Sequence, residues 1–136
     1  MKRLILLEVL VLLTLVSCKN NLTSTPLVLD KSIELKYGVI LKNTDYQISI
    51  MLDSVLNDSR CPTGAECIWA GNAAVRFTYT SASSKVSFVL NTISSFRTDS
   101  LIEGYRIRMT KLSPYPVLGV AIKQSDYKAE IEIKKE

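Results

Sequence analysis

Tyr127-Lys128-Ala129-Glu130-Ile131-Glu132-Ile133-Lys134 decides the fold class, because apolar and charged residues trade places at every step. A period of two sets Tyr127, Ala129, Ile131 and Ile133 on one face of a strand and the charges on the other. The same alternation recurs back along the chain. Tyr105, Ile107 and Met109 alternate with Arg106, Arg108 and Thr110, and Val86, Phe88 and Leu90 form another set. Val75, Phe77 and Tyr79 alternate with Arg76, Thr78 and Thr80, Ile48, Ile50 and Leu52 with Gln47, Ser49 and Met51, and Ile33, Leu35 and Tyr37 with Ser32, Glu34 and Lys36. About six or seven half-buried strands follow, with no sustained 3.6-residue stripe among them. The expected fold is an all-β antiparallel sandwich of about seven strands over residues 27–136, immunoglobulin-like in the loose sense, with a small barrel as the alternative.

Pairing of the last two strands is expected to set Arg106 and Arg108 near Glu130 and Glu132. Cross-strand charge pairing on a wet face is the expectation, and an anion-binding stripe is its rival. Between these strands, Leu112 to Asp126 carries Pro114 and Pro116 around Tyr115. A connection this long either plugs the sandwich end with Tyr115 and Val117 or serves recognition.

The amino terminus carries an address. Lys2-Arg3 precedes an apolar run from Leu4 to Val16, and Leu15-Val16-Ser17-Cys18 closes it. Cation, apolar stretch and small residue have the build of a secretory signal helix. The run is too short to span a bilayer, since 13 residues (Leu4 to Val16) reach roughly 20 Å of a core near 30 Å. Glu8 within it costs about 2.5 to 3.5 kcal/mol at a helix centre, which the surrounding Leu, Ile and Val offset. Leu15 to Cys18 resembles the bacterial lipobox. That resemblance implies removal of residues 1–17 as a lipoprotein signal peptide, diacylglycerol on Cys18 and acylation of the new terminus. The polar stretch to Pro26 (residues 18–26) then forms a lipidated tether with a reach of roughly 15 Å by coil scaling. The expected location is the bacterial cell envelope, with the outer membrane favoured and the leaflet left open.

Cleavage removes Lys2, Arg3 and Glu8, so the formal charge falls from +4 to +3, with no basic run. Nucleic acid is therefore not an expected partner. The chain contains no histidine, which removes Ser-His-Asp and Cys-His catalysis in their usual forms and leaves any zinc site without imidazole. No cofactor or metal is expected.

With Cys18 assigned to lipid, Cys61 and Cys67 remain as a pair in an oxidising compartment, and a structural disulfide is expected. Closing this loop stabilises by about 2 kcal/mol in the chain-entropy model. Pro62 at the second and Gly64 at the last position of a type I turn would fold Cys61 back toward Cys67. Trp69, the single tryptophan, is expected to pack on the disulfide as core, the alternative being an exposed binding anchor. Arg60 meets either an anionic partner or Asp58 and loop carbonyls. Arg60, Pro62, Thr63, Gly64, Glu66 and Trp69 together form the candidate partner-binding loop. A carboxylate hydrolase would draw on Glu66, Asp58 and Glu103.

Asp58-Ser59-Arg60-Cys61-Pro62, the second cysteine and Trp69-Ala70-Gly71 resemble a stretch of small exported bacterial proteins of unassigned activity. The likeness extends more weakly to Ser113-Pro114-Tyr115-Pro116 and Asp126-Tyr127-Lys128-Ala129, and it implies membership without an activity. Pro62-Thr63-Gly64 with Trp69 is similar to the N-P-T-T-G loop of chagasin-type cysteine-protease inhibitors, which implies an inhibitory wedge. Cys61 stands where that loop has asparagine, and one threonine is missing. Asp99-Ser100-Leu101 resembles a three-residue bacterial O-glycosylation acceptor at Ser100. The functional expectation is a membrane-anchored, non-enzymatic binding or structural module that presents the disulfide-closed loop to a protein or glycan. The alternatives are an inhibitor of an envelope or host hydrolase and, after it, the carboxylate hydrolase.

Overall fold

A computed structural model describes residues 26–136 of the 136-residue chain. The signal peptide, Cys18 and the tether up to residue 25 lie outside the described residues. Eight strands follow in order: β1 (Ser32–Lys36), β2 (Ile40–Asn43), β3 (Ile48–Asp58), β4 (Ala73–Thr80), β5 (Lys85–Asn91), β6 (Asp99–Ile102), β7 (Tyr105–Ser113) and β8 (Lys128–Lys135). They form two antiparallel four-stranded sheets, ordered β1-β8-β7-β6 and β2-β3-β4-β5. The fold is the expected β-sandwich. The two strands beyond the alternating sets, β2 and β6, are four residues each, too short for a period to declare itself.

Inward faces carry the alternating apolar sets. Leu35, Leu52, Val75, Phe77, Leu90, Ile107, Ala129, Ile131 and Ile133 lose all contact with water, and each large aliphatic so buried contributes roughly 1.5 to 3 kcal/mol. Phe77 stacks on Phe88 at 5.8 Å, while Tyr79 of one sheet meets Tyr105 of the other at 6.3 Å. Bulges reset the period. In β3 the register shifts between Leu52 and Ser54 and again between Val55 and Asn57, so burial passes from Ile48, Ile50 and Leu52 to Val55. In β7 a shift between Met109 and Lys111 likewise passes burial from Met109 to Leu112.

The same bulge moves the charge pairs. Arg108 faces Glu132, but Arg106 faces Lys134 and Lys111 faces Glu130. Arg106 instead pairs with Asp99 and Glu136, Arg108 with Asp99, and Lys111 with Glu130. The arginines are thus neutralised in a cross-strand lattice, with partners different from those the alternation suggests. Ser100 lies half-buried in the edge strand β6, opposite Ile107.

The strands define two ends. At the apical end β3 finishes at Asp58, β4 starts at Ala73, β7 finishes at Ser113 and β8 starts at Lys128. The turns after β2, β4 and β6 lie at the basal end. Pro26 bridges Lys42 in parallel fashion and Leu27 donates to the Lys42 carbonyl at 2.9 Å, so the chain joins the sandwich low on β2 while descending.

Candidate functional site

One apical connection, residues 59–72 between β3 and β4, holds every residue of the candidate loop, and a second, residues 114–127 between β7 and β8, is joined to it. Asp58 and Arg60 are two residues apart on extended backbone, so their side chains point the same way, here inward. The guanidinium grips Asp58 bidentately, Nε to Oδ1 at 2.8 Å and Nη2 to Oδ2 at 2.6 Å. It also donates to the carbonyls of Leu112 at 2.6 Å and Pro114 at 2.8 Å. Tyr115 lays its ring 5.1 Å from the guanidinium carbon, within cation–π range, and Tyr127 donates its hydroxyl to Asp58 at 3.0 Å.

Arg60 is therefore a buried clamp between the two connections, and the place for it in a partner-facing loop is corrected. Its side chain is 6 % exposed and that of Asp58 8 %, because every strong acceptor within reach lies inside. Burial pushes the Asp58 carboxyl up, yet the hydrogen bonds and charge of Arg60 with the Tyr127 hydroxyl outweigh it and hold Asp58 below the usual range. Burial and that same carboxylate push Tyr127 up to about 12.

Cys61 and Cys67 form the expected disulfide, with Cα atoms 5.9 Å apart. The turn differs from expectation by one residue. Ala65 donates to the Pro62 carbonyl at 3.1 Å, and Gly64 at φ +90° takes the third position, where a type II turn needs positive φ. Thr63 then zips the connections together, donating to Pro116 at 2.9 Å and accepting from Leu118 at 3.0 Å. Gly71, at φ +70°, closes the loop base so tightly that a Cβ there would lie 1.8 Å from the Ser59 carbonyl oxygen. Beside it Asn72 binds Asn91 at 2.8 Å and receives the Thr92 amide at 3.1 Å.

Trp69 is not core. It is 76 % exposed, because residues 67–72 form a loop ahead of β4 rather than a strand whose alternate face could reach the disulfide. Ile68 stands 93 % exposed beside it, and across the zipper Tyr115, Val117, Leu118 and Val120 are 47–61 % exposed. The plug expected of Tyr115 and Val117 is likewise corrected, since Leu112 and Tyr127 already seal that end of the core. The result is a set of exposed apolar side chains, here called the ridge, on two loops, the first closed by its own disulfide and joined to the second by the Arg60 hydrogen bonds and the Thr63 backbone pairing. Thr63 and Glu66 lie exposed within it and Pro62 half-buried.

The three acids of the hydrolase reading do not converge. Asp58 is consumed by Arg60, Glu66 sits on the apical loop, and Glu103 occupies the basal turn between β6 and β7. There Ser84, Ser83 and Tyr79 donate hydroxyls to Glu103 at 2.7, 3.0 and 3.2 Å, and its pKa falls for that reason. The cage joins hairpins of the two sheets. Among the described residues no group of three acids and cysteines is spaced to hold a metal ion, and no helix is long and apolar enough to cross a membrane. Sequence reasoning missed Tyr115, Val117, Leu118 and Val120 as one surface with Ile68 and Trp69. The available signal was the absence of any charge between Leu112 and Ile122.

Comparison with protein-family models, curated proteins and solved structures finds no match to this chain.

Proposed function

We propose that this chain is a bacterial envelope lipoprotein, anchored through diacylglycerol on Cys18, that works as a non-enzymatic contact module and presents the apical ridge to its partner. The observation that carries the reading is six large apolar side chains held in water by two mutually braced loops. Isolated exposed apolar residues are ordinary, but six on two loops joined by hydrogen bonds at one end of a sandwich favour a contact surface. Bracing by the disulfide and by Arg60 leaves little loop entropy to lose on contact, which favours binding. Thr63 and Glu66 are too few hydrogen-bonding side chains to read a sugar, so a protein or lipid surface fits better than a glycan.

Capture from envelope and host extracts tests this with the full chain and a Trp69→Ala/Leu118→Ala variant. Material retained by the parent and lost by the variant is expected. Equal capture by both, with the ridge altered, would contradict the assignment. A second reading is favoured by the exposed Thr63, Glu66, Ile68 and Trp69 on a disulfide-closed loop: an inhibitor that inserts residues 62–69 into a hydrolase cleft. Loop-dependent nanomolar inhibition of a papain-like protease, a serine protease or lysozyme would replace the first reading with this one.

A further inference from the structure

We infer that the occupant of the apical ridge is the interface of the bilayer that holds the Cys18 lipid, so that the domain rests on its membrane through the lipid and through Ile68, Trp69, Val117, Leu118 and Val120. The inference rests on the contact-module reading above and names its partner.

Composition is the first argument. Protein hot spots favour Trp, Tyr and Arg and are poor in Leu and Val, whereas four of the six ridge side chains are aliphatic and Arg60 is turned inward. Trp69 and Tyr115 are the residue types that settle at the headgroup level. Residues 112–122 carry no charge, Lys111 and Lys123 flank them, and Glu66 is the one charge from Cys61 to Asn72. Lysines at the rim can reach anionic headgroups, and Glu66 limits insertion to the interfacial layer.

Backbone chemistry is the second argument. The amides of Cys61, Thr63, Ala65, Leu118 and Val120 already donate to carbonyls within the ridge, and Pro62, Pro114 and Pro116 have no N–H. The amides of Gly64, Ile68, Trp69 and Val117 have no such partner, so the loops suit the hydrated headgroup layer, where those donors stay satisfied, and not the hydrocarbon core.

Reach is the third. Pro26 bridges Lys42 of β2 in parallel fashion, near the basal turn. Pro26 is eight positions on from Cys18, with seven residues between, a span of at most about 28 Å. From the level of Lys42 and Ser49, β3 climbs to Asp58 over roughly 30 Å. A domain leaning toward the bilayer can therefore set ridge and lipid on one surface.

The single tryptophan is the reporter. The full chain would be reconstituted into vesicles of phosphatidylethanolamine and phosphatidylglycerol, with and without bromine-labelled acyl chains, beside an Ile68→Asp/Leu118→Asp variant whose changes touch no core side chain. Expected are a blue-shifted Trp69 emission, quenching by the brominated lipid, loss of both in the variant, and no vesicle clustering. Water-like emission open to acrylamide, or a shift that arises only as vesicles cluster, overturns the inference. The capture experiment separates the two failures. Water-like Trp69 with ridge-dependent capture of a protein leaves the contact module standing with a protein partner, and failure of both removes the module as well.

Discussion

Arg60 holds a carboxylate, two carbonyls and an aromatic ring from two parts of the chain, residue 58 and residues 112–115. Arg60→Ala leaves Asp58 buried without its cation, and removing one partner of such a pair costs about 3 to 5 kcal/mol. Urea denaturation with the disulfide intact measures this, and a loss under about 1 kcal/mol would deny the clamp. The double change Asp58→Asn/Arg60→Met should cost less than Arg60→Ala, since no charge is stranded. Asp58 has its pKa lowered on folding, so the unfolded chain binds the proton more readily. Its stabilisation is complete above the unfolded carboxylate range and is lost as pH falls through the folded value. The acid limb of the stability profile should flatten in Asp58→Asn. The pairing was legible as one of two options from the spacing of Asp58 and Arg60. The carbonyls of Leu112 and Pro114 were not, because they come from more than fifty residues away.

At the scale of elements, glycine positions separate strain from space. Gly71 and Gly119 share nearly the same positive φ, +70° and +76°, but a Cβ at Gly71 strikes Ser59 while Gly119 faces open solvent. Gly71→Ala is expected to destabilise by clearly more than Gly119→Ala, whose cost is confined to backbone strain of about 1 kcal/mol. Equal melting temperatures for the two would show that the approach of residues 59 and 71 is not tight in solution. Strands with five or more residues could be read from their period, and their inward sets match the core except at Tyr37, which lies past the end of β1 and is exposed. What escaped were β2 and β6, too short to show a period, and the bulges, which shift pairing by one residue through cross-strand fit. Trp69 escaped for a related reason. Alternation two residues past Cys67 has meaning only inside a strand, and the strand begins at Ala73.

The sandwich of residues 26–136 has unlike ends. Glu103 and its hydroxyl cage knit the two sheets together at the basal end. At the apical end the disulfide, Arg60 and the Thr63 zipper fix two loops whose outward side chains are apolar. This polarity supports the proposed contact surface, while charges on the β1-β8-β7-β6 sheet pair among themselves. Hydrogen exchange on the full chain, alone and with vesicles of phosphatidylethanolamine and phosphatidylglycerol, tests that division most directly. The account predicts slowed exchange over residues 61–72 and 114–123, with no change at the basal turns of residues 44–47 and 81–84. Protection at the basal turns or over the charged sheet with the ridge unaltered would contradict it.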